Sequence, residues 1–138
     1  MRFVLSTVLA SLFATCLADH IVVKSPQNAT TQASGSEMAI AYTVSPDERA
    51  HIGSVTVDIF DHEAKNVLYR NVSYAQWSDW HEHGGRVAAA WTLPEDIEAG
   101  WYYVIYQGIT GGHCSTNGKP IYRICPGVVM SSSMIQVE

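Results

Sequence analysis

The chain has 138 residues, 8 lysines and arginines against 13 aspartates and glutamates, a formal net charge of −5, and 47% hydrophobic residues. A chain of this length makes one domain large enough to bury a real core. The acid excess and the scatter of the basic residues argue against a nucleic-acid partner, because phosphate recognition needs clustered Lys and Arg.

Residues 1–18, MRFVLSTVLASLFATCLA, begin with Arg2, continue as an apolar run from Phe3 to Leu17 and end on small residues. That is the pattern of a secretory signal, too short to span a membrane with certainty, and no second apolar stretch of about 18 residues follows it. The expected mature domain is therefore 19–138, starting at Asp19, with a formal charge of −6 (7 basic minus 13 acidic residues). A secreted, extracellular and monomeric protein is expected, kept soluble by that charge and without a membrane anchor.

Along the mature chain the apolar segments are short, rich in Val, Ile and Tyr, and bounded by Gly, Pro, Asn or Ser, which are the marks of strands and turns. His20–Ser25 reads as a first strand that stops at Pro26. Glu37–Ser45 alternates, with Met38, Ile40, Tyr42 and Val44 on one face, and ends at Pro46. Val55, Val57 and Ile59 repeat that period, and residues 66–71 can return as a hairpin partner across His62–Lys65. Residues 74–85, YAQWSDWHEHGG, break the period and are expected to form a loop. Residues 86–93 and 101–107 are the next strands, joined by Pro94–Gly100, and residues 131–137 form the last.

In the oxidising compartment beyond the signal, Cys16 is lost and Cys114 and Cys125 remain, an even pair expected to form one disulfide. The segment between them carries Asn117-Gly118 and Lys119-Pro120, so the bridge is expected to pin a hairpin or long loop. The competing use of the two cysteines, a metal site with His113, lacks a fourth ligand at suitable spacing. Asn28-Ala29-Thr30 and Asn71-Val72-Ser73 fit the N-glycosylation triplet and predict exposed backbone at Asn28 and Asn71.

About seven short strands without helices predict an all-β, antiparallel β-sandwich of immunoglobulin or fibronectin type, with a small barrel as the alternative. No Cys…Trp…Cys pattern spans the sheets, so apolar packing must hold the core, and Tyr102 or Tyr103 is placed to act as a corner tyrosine.

The order of segments also resembles a fungal family. Val23, Pro26, Gly35, Tyr42-Thr43, Trp91, Leu93-Pro94, Ala99-Gly100, Tyr102 or Tyr103 and Ile135–Val137 match the V-x-x-P, strand-ending W/Y-T, W-x-L-P, a-G-x-Y and terminal S-x-x-F/I-x-V pattern. This pattern is similar to that of the Ser/Thr-rich, GPI-anchored fungal surface proteins, whose N-terminal domain is related to yeast cell-wall β-1,6-glucan assembly proteins. The resemblance implies an immunoglobulin-like domain at or near a fungal cell wall, with cell-wall polysaccharide as the partner. The chain shows no Ser/Thr-rich stalk and no GPI signal after SSSMIQVE, so release is expected in place of tethering.

The chemistry-bearing residues concentrate in Trp77–Gly85. Two tryptophans, Trp77 and Trp80, could flank a sugar-binding surface, since pyranose rings stack on aromatic faces; Trp101, Tyr103 and Tyr106 are further aromatic candidates. If the HEH segment were extended, His81 and His83 would project to one side and could share copper or zinc, with His62, His113 or His20 completing the set. A polar surface loop is the competing use of the same residues. No pair of carboxylates stands out for glycoside hydrolysis, no G-x-S-x-G elbow occurs, and Asp19 rather than a histidine would begin the mature chain. A non-catalytic protein without a cofactor is therefore expected, binding glycan in the first instance. A His-x-His metal protein and a secreted effector binding a protein partner are the alternatives.

Overall fold

The computed structural model describes residues 20–45, 50–116, 119–124 and 127–138, with side chains described for 20–45, 51–110 and 127–138. Among these residues nine strands and one helical turn follow in order. They are β1 (His20–Ser25), β2 (Thr30–Gln32), β3 (Glu37–Ser45), β4 (Ala50–Phe60), β5 (Val67–Gln76), α1 (Trp77–Trp80), β6 (Arg86–Thr92), β7 (Gly100–Thr116), β8 (Lys119–Ile124) and β9 (Gly127–Val137).

The strands form two sheets. One has the order β1-β3-β6, the other β2-β9-β7-β4-β5, with β8 pairing on β7. All pairings are antiparallel except β2 with β9. The chain is thus an all-β, immunoglobulin-like sandwich in which a short early strand crosses from the first sheet to lie beside the last strand of the second.

Two-residue alternation builds the core as expected. Met38, Ile40, Tyr42 and Val44 of β3 face Val55, Val57 and Ile59 of β4, Val104 and Tyr106 of β7, and Ile135 and Val137 of β9, all buried in one cluster. Apolar contact and hydrogen bonding both join the sheets. The Tyr42 and Tyr106 rings meet edge to face at 5.4 Å, and the Tyr106 hydroxyl donates to the Ser25 carbonyl of β1 at 3.0 Å.

The corner tyrosine is Tyr102. Its hydroxyl donates to the Glu98 carbonyl at 2.6 Å and anchors the Pro94–Gly100 crossover to the start of β7. Two residues on, where antibody domains carry their second cysteine, stands the fully buried Val104. Packing there replaces the inter-sheet bridge.

The architecture departs from the expected seven strands in three ways. β2 has three residues, too few for an alternating pattern to show. The Cys114–Cys125 segment forms part of a β7–β8 hairpin, with Ser115 opposite Pro120 and Thr116 opposite Lys119; the expected disulfide itself lies outside the described residues. Residues 74–85 are not wholly loop, since β5 runs on to Gln76, pairing with Ser54, and the next four residues form α1. Ser73 and Ala75 are buried small residues that continue the inward face of β5 without the bulky side chains that mark a strand in sequence.

Asn28 and Asn71 both lie exposed, as expected for glycan acceptors. Asn28 Oδ1 accepts the Met134 N–H at 3.0 Å. Asn71 sits at φ 52° in the irregular part of β5, and its N–H donates to Asp58 Oδ1 at 2.7 Å. Among the described residues no helix is long and apolar enough to cross a membrane.

Candidate functional site

The site grows out of the turn that links the two sheets. Gln76 ends β5 in extended geometry, and its N–H donates to Asp79 Oδ2 at 2.8 Å, which closes the first turn of α1. His81 completes that turn, its N–H donating to the Trp77 carbonyl at 3.0 Å. The chain then reverses through Gly84 and Gly85, both at positive φ. The Gly85 N–H donates to the Trp80 carbonyl at 3.0 Å, and the Gly85 carbonyl accepts the Val44 N–H at 2.7 Å. A Cβ on Gly85 would run into the Val44 carbonyl, so the return against β3 requires glycine.

One helical turn sorts the sequence-selected residues. Residues four apart lie on the same face, and the Trp77 and His81 rings stack at 3.8 Å with an interplanar angle of 16°. Trp80, about 60° round the axis from Trp77 on the side away from His81, is 3% exposed and packed in the core cluster. Trp77 itself is 52% exposed. The two tryptophans are therefore unequal: Trp80 packs inward at the end of the sandwich and Trp77 stays outside, while both border one cleft.

The same turn shapes the histidine pair. His81 has helical geometry, φ −63° and ψ −30°, and the residues after it turn. Residues two apart then point about 200° apart around the axis, whereas the extended segment would have put His81 and His83 on one side. His81 is occupied with Trp77 and faces Glu82 at 3.6 Å, while the His83 carbonyl accepts from Arg86 Nε at 3.2 Å. His62 lies in the β4–β5 turn, 3.8 Å from Glu63, and the His113 side chain lies outside the described residues. Among the described residues no group of three or more His, Cys, Asp or Glu side chains is placed to hold a metal ion.

What the turn does form is a cleft of about 380 Å³ lined by Val44, His51, Trp77, Trp80, His81, Gly84 and Gly85. Trp80, the two glycines and the Trp77–His81 stack all border it. A second hollow of about 370 Å³ adjoins it through His51 and Trp77 and continues over Ile52 and Gly53. Trp77 thus stands between two concavities. His81 backs one face of the indole, and the remaining exposed surface offers a flat apolar face rimmed by imidazoles, which suits the apolar side of a sugar ring and its hydroxyls.

Sequence reasoning missed His51, Val44 and the two glycines as lining residues. Nothing in the local pattern marks His51, because it reaches the cleft only through the register that sets β4 beside β7, His51 opposite Gly111. The other aromatic candidates lie elsewhere. Tyr106 is fully buried. Trp101 and Tyr103 sit on the outer face of the larger sheet, and Trp101 stands eight strand residues from Ile109, the partner of Ser54 beside Gln76. At strand rise that is nearly 30 Å, roughly, from the level of Trp77.

No protein-family model matches the chain, and no curated protein matches it. Among solved structures it is similar to murine CRIg, with a TM-score of 0.43 and 9% sequence identity over 86% of this chain and 96% of that chain.

Proposed function

We propose that the chain is a secreted, non-catalytic glycan-binding domain of the extracellular space or cell wall, which holds a sugar ring against Trp77. The observation that carries this reading is the exposed indole, backed on one face by His81 and set between two concavities. A large aromatic ring left over half open to solvent costs hydration free energy that burial would recover. The short turn from Gln76 to Gly85 fixes its orientation, so little side-chain entropy is lost on binding. The likeness of the strand order to fungal surface proteins and the secretory signal supply the class of ligand, a cell-wall polysaccharide.

The metal reading has less behind it: His81 to His83 is a turn and not the extended segment that would set both imidazoles on one side. Binding of a protein partner finds no support in the cleft itself. The test is retention on insoluble β-glucan and chitin, with soluble oligosaccharides as competitors. Retention that disappears in Trp77→Ala supports the proposal; absence of retention on either polymer, with no response to the soluble sugars, overturns it.

A further inference from the structure

The outer face of the larger sheet is the second feature that calls for a partner. The register places Val128 beside Ile109 and Met130 beside Gln107, and on the other side Thr56 beside Gln107 and Tyr74 beside Thr56. These residues, with Trp101 further along β7, all alternate away from the core. Five of the eight large apolar side chains exposed among the described residues fall on this face: Tyr74, Trp101, Ile109, Val128 and Met130, each between 40% and 61% exposed.

The centre of the face lacks charge. Along the row Met130, Gln107, Thr56 and Tyr74 and at the neighbouring Ile109, Val128 and Ser132 no charged side chain stands; among the described residues His51 and the buried Asp58 on β4 and Arg70 on β5 lie beyond that row. The outer face of the smaller sheet, by contrast, presents Glu37 and Arg86. In a chain with a net charge of −5, this uncharged centre lets two copies approach without like-charge repulsion.

We infer that this face is an isologous interface between two copies of the chain. Tyr74, Ile109, Val128 and Met130, all within two residues of that row, leave on the order of 400 Å² of largely apolar surface open, within the range of the largest patch on proteins that act alone. With the half-buried Gln107 and Thr56 and the exposed Ser132 around them, two apposed faces approach the roughly 800 Å² per partner of a standard interface. The arrangement is self-complementary. A two-fold axis running along the strands between β7 and β4 lays β9 of one copy over β5 of the other. Met130 then meets Tyr74 of the second copy, a thioether on an aromatic ring, and Gln107 meets Thr56 of the second copy, a donor and acceptor pair at the centre.

Sedimentation of the secreted protein tests this, after endoglycosidase treatment because Asn71 stands at the rim. A reversible dimer is expected at concentrations up to about 500 μM, weakened at least about tenfold by Met130→Lys and again by Tyr74→Lys. Both variants should keep the wild-type melting temperature, since these side chains are outside the core. A monomer throughout that range overturns the inference. So does a dimer that neither substitution weakens, or one that persists on a non-reducing denaturing gel and is therefore covalent.

Discussion

Tyr102→Phe isolates the device that fixes the crossover between the sheets. The substitution removes one hydroxyl and leaves the ring, which is buried against the core, and it deletes a 2.6 Å hydrogen bond to the Glu98 carbonyl. Burial and the nearby Glu98 carboxylate both push the Tyr102 phenol above its ordinary pKa, so the hydroxyl is a neutral donor throughout the physiological range. A neutral hydrogen bond of this kind contributes about 1 kcal/mol net. Glu98 is itself exposed, so water can reach its freed carbonyl and no large desolvation penalty is added. At about 2.1 cal/mol/K of unfolding entropy per residue, a domain of some 120 residues loses roughly 4 °C of Tm for that change. Differential scanning calorimetry of Tyr102→Phe beside Tyr103→Phe reads the difference, because Tyr103 lies on the opposite face of β7 and should change Tm by less than about 1 °C. Equal losses in the two variants, or a loss only at Tyr103, would refute the corner assignment.

Tyr42→Phe should act in the opposite sense. The Tyr42 hydroxyl is buried and has no hydrogen-bond partner among the described residues, so its removal is expected to stabilise the domain by about 1 kcal/mol in urea titration. Gly85→Ala should cost more than about 2 kcal/mol, because φ is +77° and a Cβ would strike the Val44 carbonyl; thermal melts check this, and a neutral result would mean the glycine turn is misplaced. The Asp61 carboxylate accepts from the Asn66 side chain at 2.7 Å and the Lys65 N–H at 2.9 Å, which hold it below the usual carboxylate range. Its contribution to the β4–β5 turn is thus present above the unfolded pKa and fades as pH falls through the lowered folded value. An NMR titration in which the Lys65 amide shifts at or above the usual carboxylate midpoint would contradict that sign.

Period-two alternation carried most of the fold. Met38 to Val44 and Val55 to Ile59 are legible as half-buried strands because each bulky apolar residue is separated by one that can face water. The pattern failed where inward residues are small or where pairing rather than composition makes the strand. Ser73 and Ala75 hide the end of β5, and Thr30–Gln32 become β2 only through their partners Ile135 to Val137. In the site, the segment Trp77–Gly85 was visible as a cluster, but its geometry was not. A four-residue helix leaves no periodic trace, yet it decides that Trp77 faces solvent, Trp80 faces the core and His81 lies against Trp77. His51 enters from a strand 26 residues earlier through register alone.

The proposed stacking of a sugar ring on Trp77 is read from the Trp77 indole N–H resonance during titration with soluble β-glucan and chitin oligosaccharides, with Trp101 as the internal control. A saturable shift is expected at Trp77 and at the His81 ring, none at Trp101, and loss of binding in Trp77→Ala. A shift centred on Trp101, or binding that survives Trp77→Ala unchanged, would contradict it.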